Sequence, residues 1–195
     1  MNLHPTDAGK EGSAVWWTGE ATFDPGELER ALAAGWAHDA VDGWDVTNPE
    51  PGKLLFGAKP NLVVNSGINR SMDRTFGLTN IDAQTVVIDS IGVDNGTVNP
   101  TATTALSADG NSTNRTIIAM SPATTRTAQV VTCQGTFNQG NVSFIMKRLF
   151  LNKTTADSSG NLYSMTNVFT LDFITGSPFS TWSQAFSATV TGTGS

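Results

Sequence analysis

Charge is divided along this chain in a way that separates two kinds of structure. Residues 1–60 hold ten acidic and four basic side chains, a net of −6, and residues 61–195 hold seven of each, a net of zero. The longer part contains no Glu and is crowded with Thr, Ser, Asn and Gly. Glu and Lys favour helices, whereas Thr and Val suit a pleated, half-buried surface. The expectation is an acidic, helix-containing N-terminal arm (residues 1–60) followed by a nearly neutral β domain (residues 61–195).

In the arm, Asp24-Pro25-Gly26-Glu27 marks a helix start: Asp24 caps, Pro25 suits the first turn and Glu27 completes a capping-box-like pattern. The predicted helix runs to about Ala34, with Leu28, Ala31, Leu32 and Trp36 as its apolar stripe. Residues 42–60 collect Gly and Pro and read as an irregular linker. Trp16, Trp17, Trp36 and Trp44 all precede Pro60, and a short arm cannot bury four tryptophans by itself. They are expected to anchor the arm on the β domain or on a neighbouring subunit, because large aromatics dominate interface cores.

A second helix is predicted within Asn61–Gly77, with Ile68, Met72 and Phe76 on one face and Arg70, Asp73 and Arg74 off it, towards solvent. Beyond Gly77 the period changes to two. Strands are expected at Thr85–Val93, Arg115–Met120, Thr127–Thr136, Val142–Leu151, Leu162–Phe173 and Thr181–Thr191, with the clearest alternation in Asn167–Phe173. Asp94-Asn95-Gly96, Asp109-Gly110-Asn111, Asn138-Gln139-Gly140 and Asp157–Gly160 supply turn chemistry. The fold class is mainly β, an antiparallel β-sandwich or jelly-roll-like domain preceded by the arm.

Catalytic machinery is sparse. His4 and His38 both lie in the arm, no Gly-x-Ser-x-Gly elbow occurs, and no phosphate-cradling glycine loop is present. Cys133, the single cysteine, sits in the apolar run Val130–Cys133 and reads as a small buried hydrophobe. Asp89 and Asp172 fall in strands, whereas Asp94, Asp109 and Asp157 read as turn formers. Loops at Asp94-Asn95 or Asp109–Asn111 offer oxygens of the type Ca²⁺ takes, but without EF-hand spacing. No catalytic residue, metal or cofactor is expected. Lys147-Arg148 is the one adjacent basic pair in an acidic chain, which argues against nucleic-acid and anionic-membrane partners. The N-terminus has no apolar leader segment, so synthesis in a cytosol is expected. Charged residues make up 14 % of the chain, well below the roughly 25 % usual for a soluble domain. So few charges among so many hydroxyls suit a surface that meets other subunits.

A resemblance adds to these readings. Val64-Asn65-Ser66-Gly67-Ile68-Asn69 with Asp73, then Asp89–Val93, Asn95-Gly96-Thr97, Pro100-Thr101, Thr104-Ala105-Leu106, and Leu149-Phe150 with Asn152 follow in the order of segments in bacteriophage virion proteins of the tail-fibre-like or decoration type. The chain departs from them at Met146-Lys147-Arg148, where they often carry Glu-x-Gly, and in lacking acidic residues other than Asp94 in the loop after Val93. The resemblance spans about residues 61–190 and leaves the arm unmatched. It implies a non-enzymatic β module of a virion, made in the host bacterial cytoplasm and assembled as a homo-oligomer, commonly a trimer, with other phage structural proteins of the tail or capsid as partners. The alternative is a receptor- or carbohydrate-binding module, for which Tyr163 and Trp182 are the aromatic candidates.

Overall fold

In the computed structural model, the described residues are 13–24, 26–33, 46–50, 53–76, 88–106, 111–121, 125–128, 130–157, 160–169 and 182–192. They form ten strands and two helices: β1 (Ser13–Phe23), α1 (Glu27–Ala33), β2 (Val46–Glu50), β3 (Lys53–Val63), α2 (Asn65–Phe76), β4 (Ser90–Asp94), β5 (Arg115–Ala119), β6 (Thr125–Thr127), β7 (Val130–Asn138), β8 (Arg148–Asn152), β9 (Leu162–Thr166) and β10 (Trp182–Gly192). The protein is mainly β, as expected. Every strand pairing is antiparallel, in the order β5-β4-β8-β9-β3-β1-β10-β7-β6, with β2 on β3.

β3 joins two sheets. Its residues Lys53–Pro60 pair with β1, and Asn61–Val63 pair with β9. Pro60 stands opposite Trp16 at the hand-over, where a residue without an N–H costs the ladder least. The sheets face each other where β7 passes β4 and β5. A Cβ on Gly135 would lie 2.1 Å from Cγ2 of Ile91 and 3.3 Å from Cδ1 of Ile118, so the missing side chain is what lets the layers touch. Trp17, Ile91, Val93, Cys133, Phe137, Met146, Leu149, Leu151, Phe186 and Ala188 fill the core between them. Phe137 and Phe186 meet as tilted rings with centroids 6.3 Å apart, a favourable aromatic geometry. Cys133 is buried opposite Ala188, in keeping with its apolar setting.

The expected division at residue 60 falls inside an observed strand. It cuts through β3, and β1 lies in mid-sheet between β3 and β10. Thr22 and Ser183 share a hydroxyl hydrogen bond across the β1–β10 ladder. The stretch read as a linker contains β2 and most of β3. Partner strands satisfy its backbone groups, and that outweighs a local count of Gly and Pro.

The helix starts fall close to expectation. α1 opens with the Glu27 amide donating to the Asp24 carbonyl (2.9 Å). The predicted face of α2 is turned the wrong way. Ile68 packs on the core, but Met72 is 50 % and Phe76 70 % exposed. Arg70, expected in solvent, is buried and donates to the carbonyls of Gly160 (2.5 Å) and Asn161 (3.5 Å). Gly67 explains the rotation. A Cβ there would sit 2.3 Å from the Tyr163 carbonyl oxygen, so the helix is pressed on β9 along its Gly67–Arg70 side. The expected strands Val142–Leu151 and Leu162–Phe173 are shorter here, Asn167–Phe169 is not strand, and in Thr85–Val93 the strand begins at Ser90, with residues 85–87 outside the described residues. The rest of the predicted alternation, residues 170–173, lies outside the described residues.

Candidate functional site

In the sheet formed by β4, β5, β8 and β9 every residue of β4, β8 and β9 is buried, and the face turned away from the main core carries the most concentrated side-chain chemistry among the described residues. On β4, Ile91 and Val93 point to the main core, leaving Ser90, Gly92 and Asp94 for the other face. Register then builds rows across three strands. Arg115, Asp94 and Arg148 form one row, Ile117, Gly92 and Phe150 the next, and Ala119, Ser90 and Asn152 the third.

The first row is a buried ion network. Asp94 is fully buried and Arg148 is 1 % exposed. Arg148 Nε donates to Asp94 Oδ1 (2.8 Å) and Nη2 to Oδ2 (2.9 Å), a fork-to-fork pair, while Nη1 reaches the Val98 carbonyl (3.1 Å). Arg115 Nη2 donates to Asp94 Oδ2 (3.3 Å). Arg115 Nη1 reaches Asp157 Oδ2 (2.6 Å) and the Leu106 carbonyl (3.2 Å), and its guanidinium lies 5.8 Å over the Phe150 ring. The network ties the loops after β4, before β5 and after β8 to the sheet.

The second row is apolar. Val64, Leu106, Phe150, Leu162 and Met165, with Ile117 against them, form a small core separate from the main one. α2 closes it: the Val64 amide donates to the Tyr163 carbonyl (3.0 Å), the Asn65 amide to the Ala102 carbonyl (2.7 Å) and Ser66 Oγ to the Leu162 carbonyl (2.6 Å).

Chemically this arrangement holds structure together. Asp94 was read as a turn former. It does accept the Gly96 amide (3.0 Å), but its carboxylate also pairs with two guanidiniums, and Asp157 supplies the second negative charge. Asp94 and Asp157 are separated by Arg115 and so make no acid–base pair. The Asp94-Asn95 oxygens face N–H and O–H donors: Asn95 Oδ1 accepts from the Thr113 and Asn114 amides and from Ser112 Oγ. No group of three or more His, Cys, Asp or Glu among the described residues is placed to hold a metal. No helix of the described residues is long and apolar enough to cross a membrane.

Of the four tryptophans expected to act as anchors, Trp17 is fully buried in this chain's own core, because β1 is an inner strand. Trp16 lies in β1 opposite Thr189 and Pro60. Trp36 and Trp44 lie outside the described residues, as do His4, His38, Asp109 and Asp172. Tyr163, the candidate glycan platform, is only 8 % exposed and packs against the main core. Trp182 opens β10 opposite Phe23. The Asp94–Arg148 pair was missed, although one signal existed: a lone basic pair in a strand and an Asp at a strand end, in a domain with few other charges.

No protein-family model, curated protein or solved structure matches the chain.

Proposed function

We propose that this chain is a non-enzymatic structural component of a bacteriophage virion, a β module that assembles with copies of itself and with other particle proteins, on the tail side or as a capsid decoration protein. One observation carries the reading. The segments that resemble virion proteins lie far apart in sequence yet meet in one place. Val64 just before α2, Gly92 of β4, Leu106 before β5 and Phe150 of β8 all line or border the small second core. Residues whose shared duty is packing belong to a scaffold. Two further features support it: charge on the outer sheet face is neutralised internally, and Met72, Phe76 and Val98 leave apolar surface in solvent. Subunit association would work by covering such surface, at roughly 25 cal/mol per Å² before ordering costs.

The carbohydrate-binding alternative loses its Tyr163 platform to burial.

The test is peptide mass spectrometry on density-purified particles from the phage encoding the chain, paired with sedimentation of the purified protein. Stoichiometric presence in particles and a defined oligomer are expected. A monomer missing from particles would overturn the reading.

A further inference from the structure

The loop after β4 contains an Asn-Gly dipeptide, Asn95-Gly96. In a flexible chain this pair is chemically labile, because a glycine amide is unhindered in attacking the preceding side chain. Both residues are held here by structural duties. A Cβ at Gly96 would lie 2.0 Å from Cζ and Nη2 of Arg148, so the buried guanidinium demands glycine. Asn95 latches the approach to β5. Its Oδ1 accepts from the Thr113 amide (3.0 Å), the Asn114 amide (3.1 Å) and Ser112 Oγ (3.4 Å), and its Nδ2 donates to Thr113 Oγ1 (3.0 Å).

The same contacts disarm the reaction. Deamidation requires the Gly96 nitrogen, after losing its proton to hydroxide, to attack Asn95 Cγ. The new C–N bond expels Nδ2 as ammonia, and water then opens the succinimide to aspartate or isoaspartate. In the folded protein the Gly96 N–H is buried and donates to Asp94 Oδ1 (3.0 Å). That carboxylate is fixed in turn by Arg148 and Arg115. A hydrogen bond to a charged acceptor opposes loss of the proton, and the latched amide cannot turn its Cγ toward the Gly96 nitrogen.

We propose that Asn95-Gly96 is a gated deamidation site, silent while the Arg115–Asp94–Arg148 row and the Thr113 latch hold, and reactive once they loosen. Conversion replaces the Nδ2 donor with a carboxylate next to Asp94, or inserts a methylene into the main chain as isoaspartate. Aspartate keeps the acceptor for the Thr113 and Asn114 amides and loses only the Nδ2 donation, whereas isoaspartate displaces the carboxylate from them and releases the 112–114 segment, so through that product one opening event becomes permanent. The inference is independent of the virion reading.

The experiment is a time course at mildly alkaline pH with peptide mapping for amide-to-acid conversion and isoaspartate at residue 95, in native and in urea-unfolded full-length protein. A hydrogen bond to a charged group is worth about 1.5–3 kcal/mol, so native Asn95 is expected to convert at least about tenfold more slowly than unfolded Asn95. Thr113→Val, an exposed loop change that leaves both cores intact, should speed conversion at residue 95 in the native state while leaving the other asparagines at wild-type rates. Equal native and unfolded rates, or a Thr113→Val rate matching wild type, would overturn the gate.

Discussion

Gly92 on β4 stands directly opposite Phe150 on β8, and the phenyl ring occupies the space a side chain at residue 92 would need, with Cζ 2.1 Å from the Cβ position. The glycine is therefore the floor of the second core.

Gly92→Ala should destabilise the protein by about 1–3 kcal/mol or more, because Phe150 is fully buried and cannot swing out without moving Leu162 and Met165. Urea denaturation measures this. Adding Phe150→Leu should return part of the loss, since the two sites share one volume. A double variant no better than the sum of the singles would refute the direct clash.

Arg148→Met should cost about 3–5 kcal/mol, as it strips a buried carboxylate of its forked partner. Asp157→Asn should cost less than about 1 kcal/mol, because the Asp157 side chain is 47 % exposed and solvent screens its pair with Arg115. Chemical melts of the two variants side by side should show this ranking.

Ala128, in the β6–β7 connection, has φ 53°, the one non-glycine residue with positive φ among those described. Ala128→Gly removes a left-handed penalty of about 1–2 kcal/mol and adds back part of it as chain entropy. The expected net gain is up to about 1 kcal/mol, seen as a raised Tm. A lowered Tm would contradict this backbone account.

Deleting residues 1–60 should abolish cooperative unfolding, since it removes β1 and most of β3, strips β10 of one of its two neighbours and takes out the strand that links the two sheets. Circular dichroism melts of the truncated chain test it. A sharp native-like transition would restore the separate arm that composition suggests.

Much of the β architecture was legible in the chain. The six expected strands each overlap an observed one, because period-two patterning and Asn/Gly turns are local signals. The two helices begin within a few residues of their caps for the same reason. The helix face was not legible: Met72 and Phe76 look like a core stripe, but the close approach of Gly67 to Tyr163 turns them outward. Nor were β1 and β3, whose partners β10 and β9 lie over 100 residues away.

The sequence by itself determined what is decided by neighbours along the chain: a hydroxyl-rich mainly β protein, its turns and its helix starts. Tertiary structure alone decided that β1 is an inner strand, that Trp17 belongs to the core, and that Asp94 is neutralised by Arg148 across a strand pair. Strand register and layer contact join residues of large sequence separation, and no local periodicity encodes which distant strand will supply a backbone with its hydrogen bonds or a buried charge with its counter-charge.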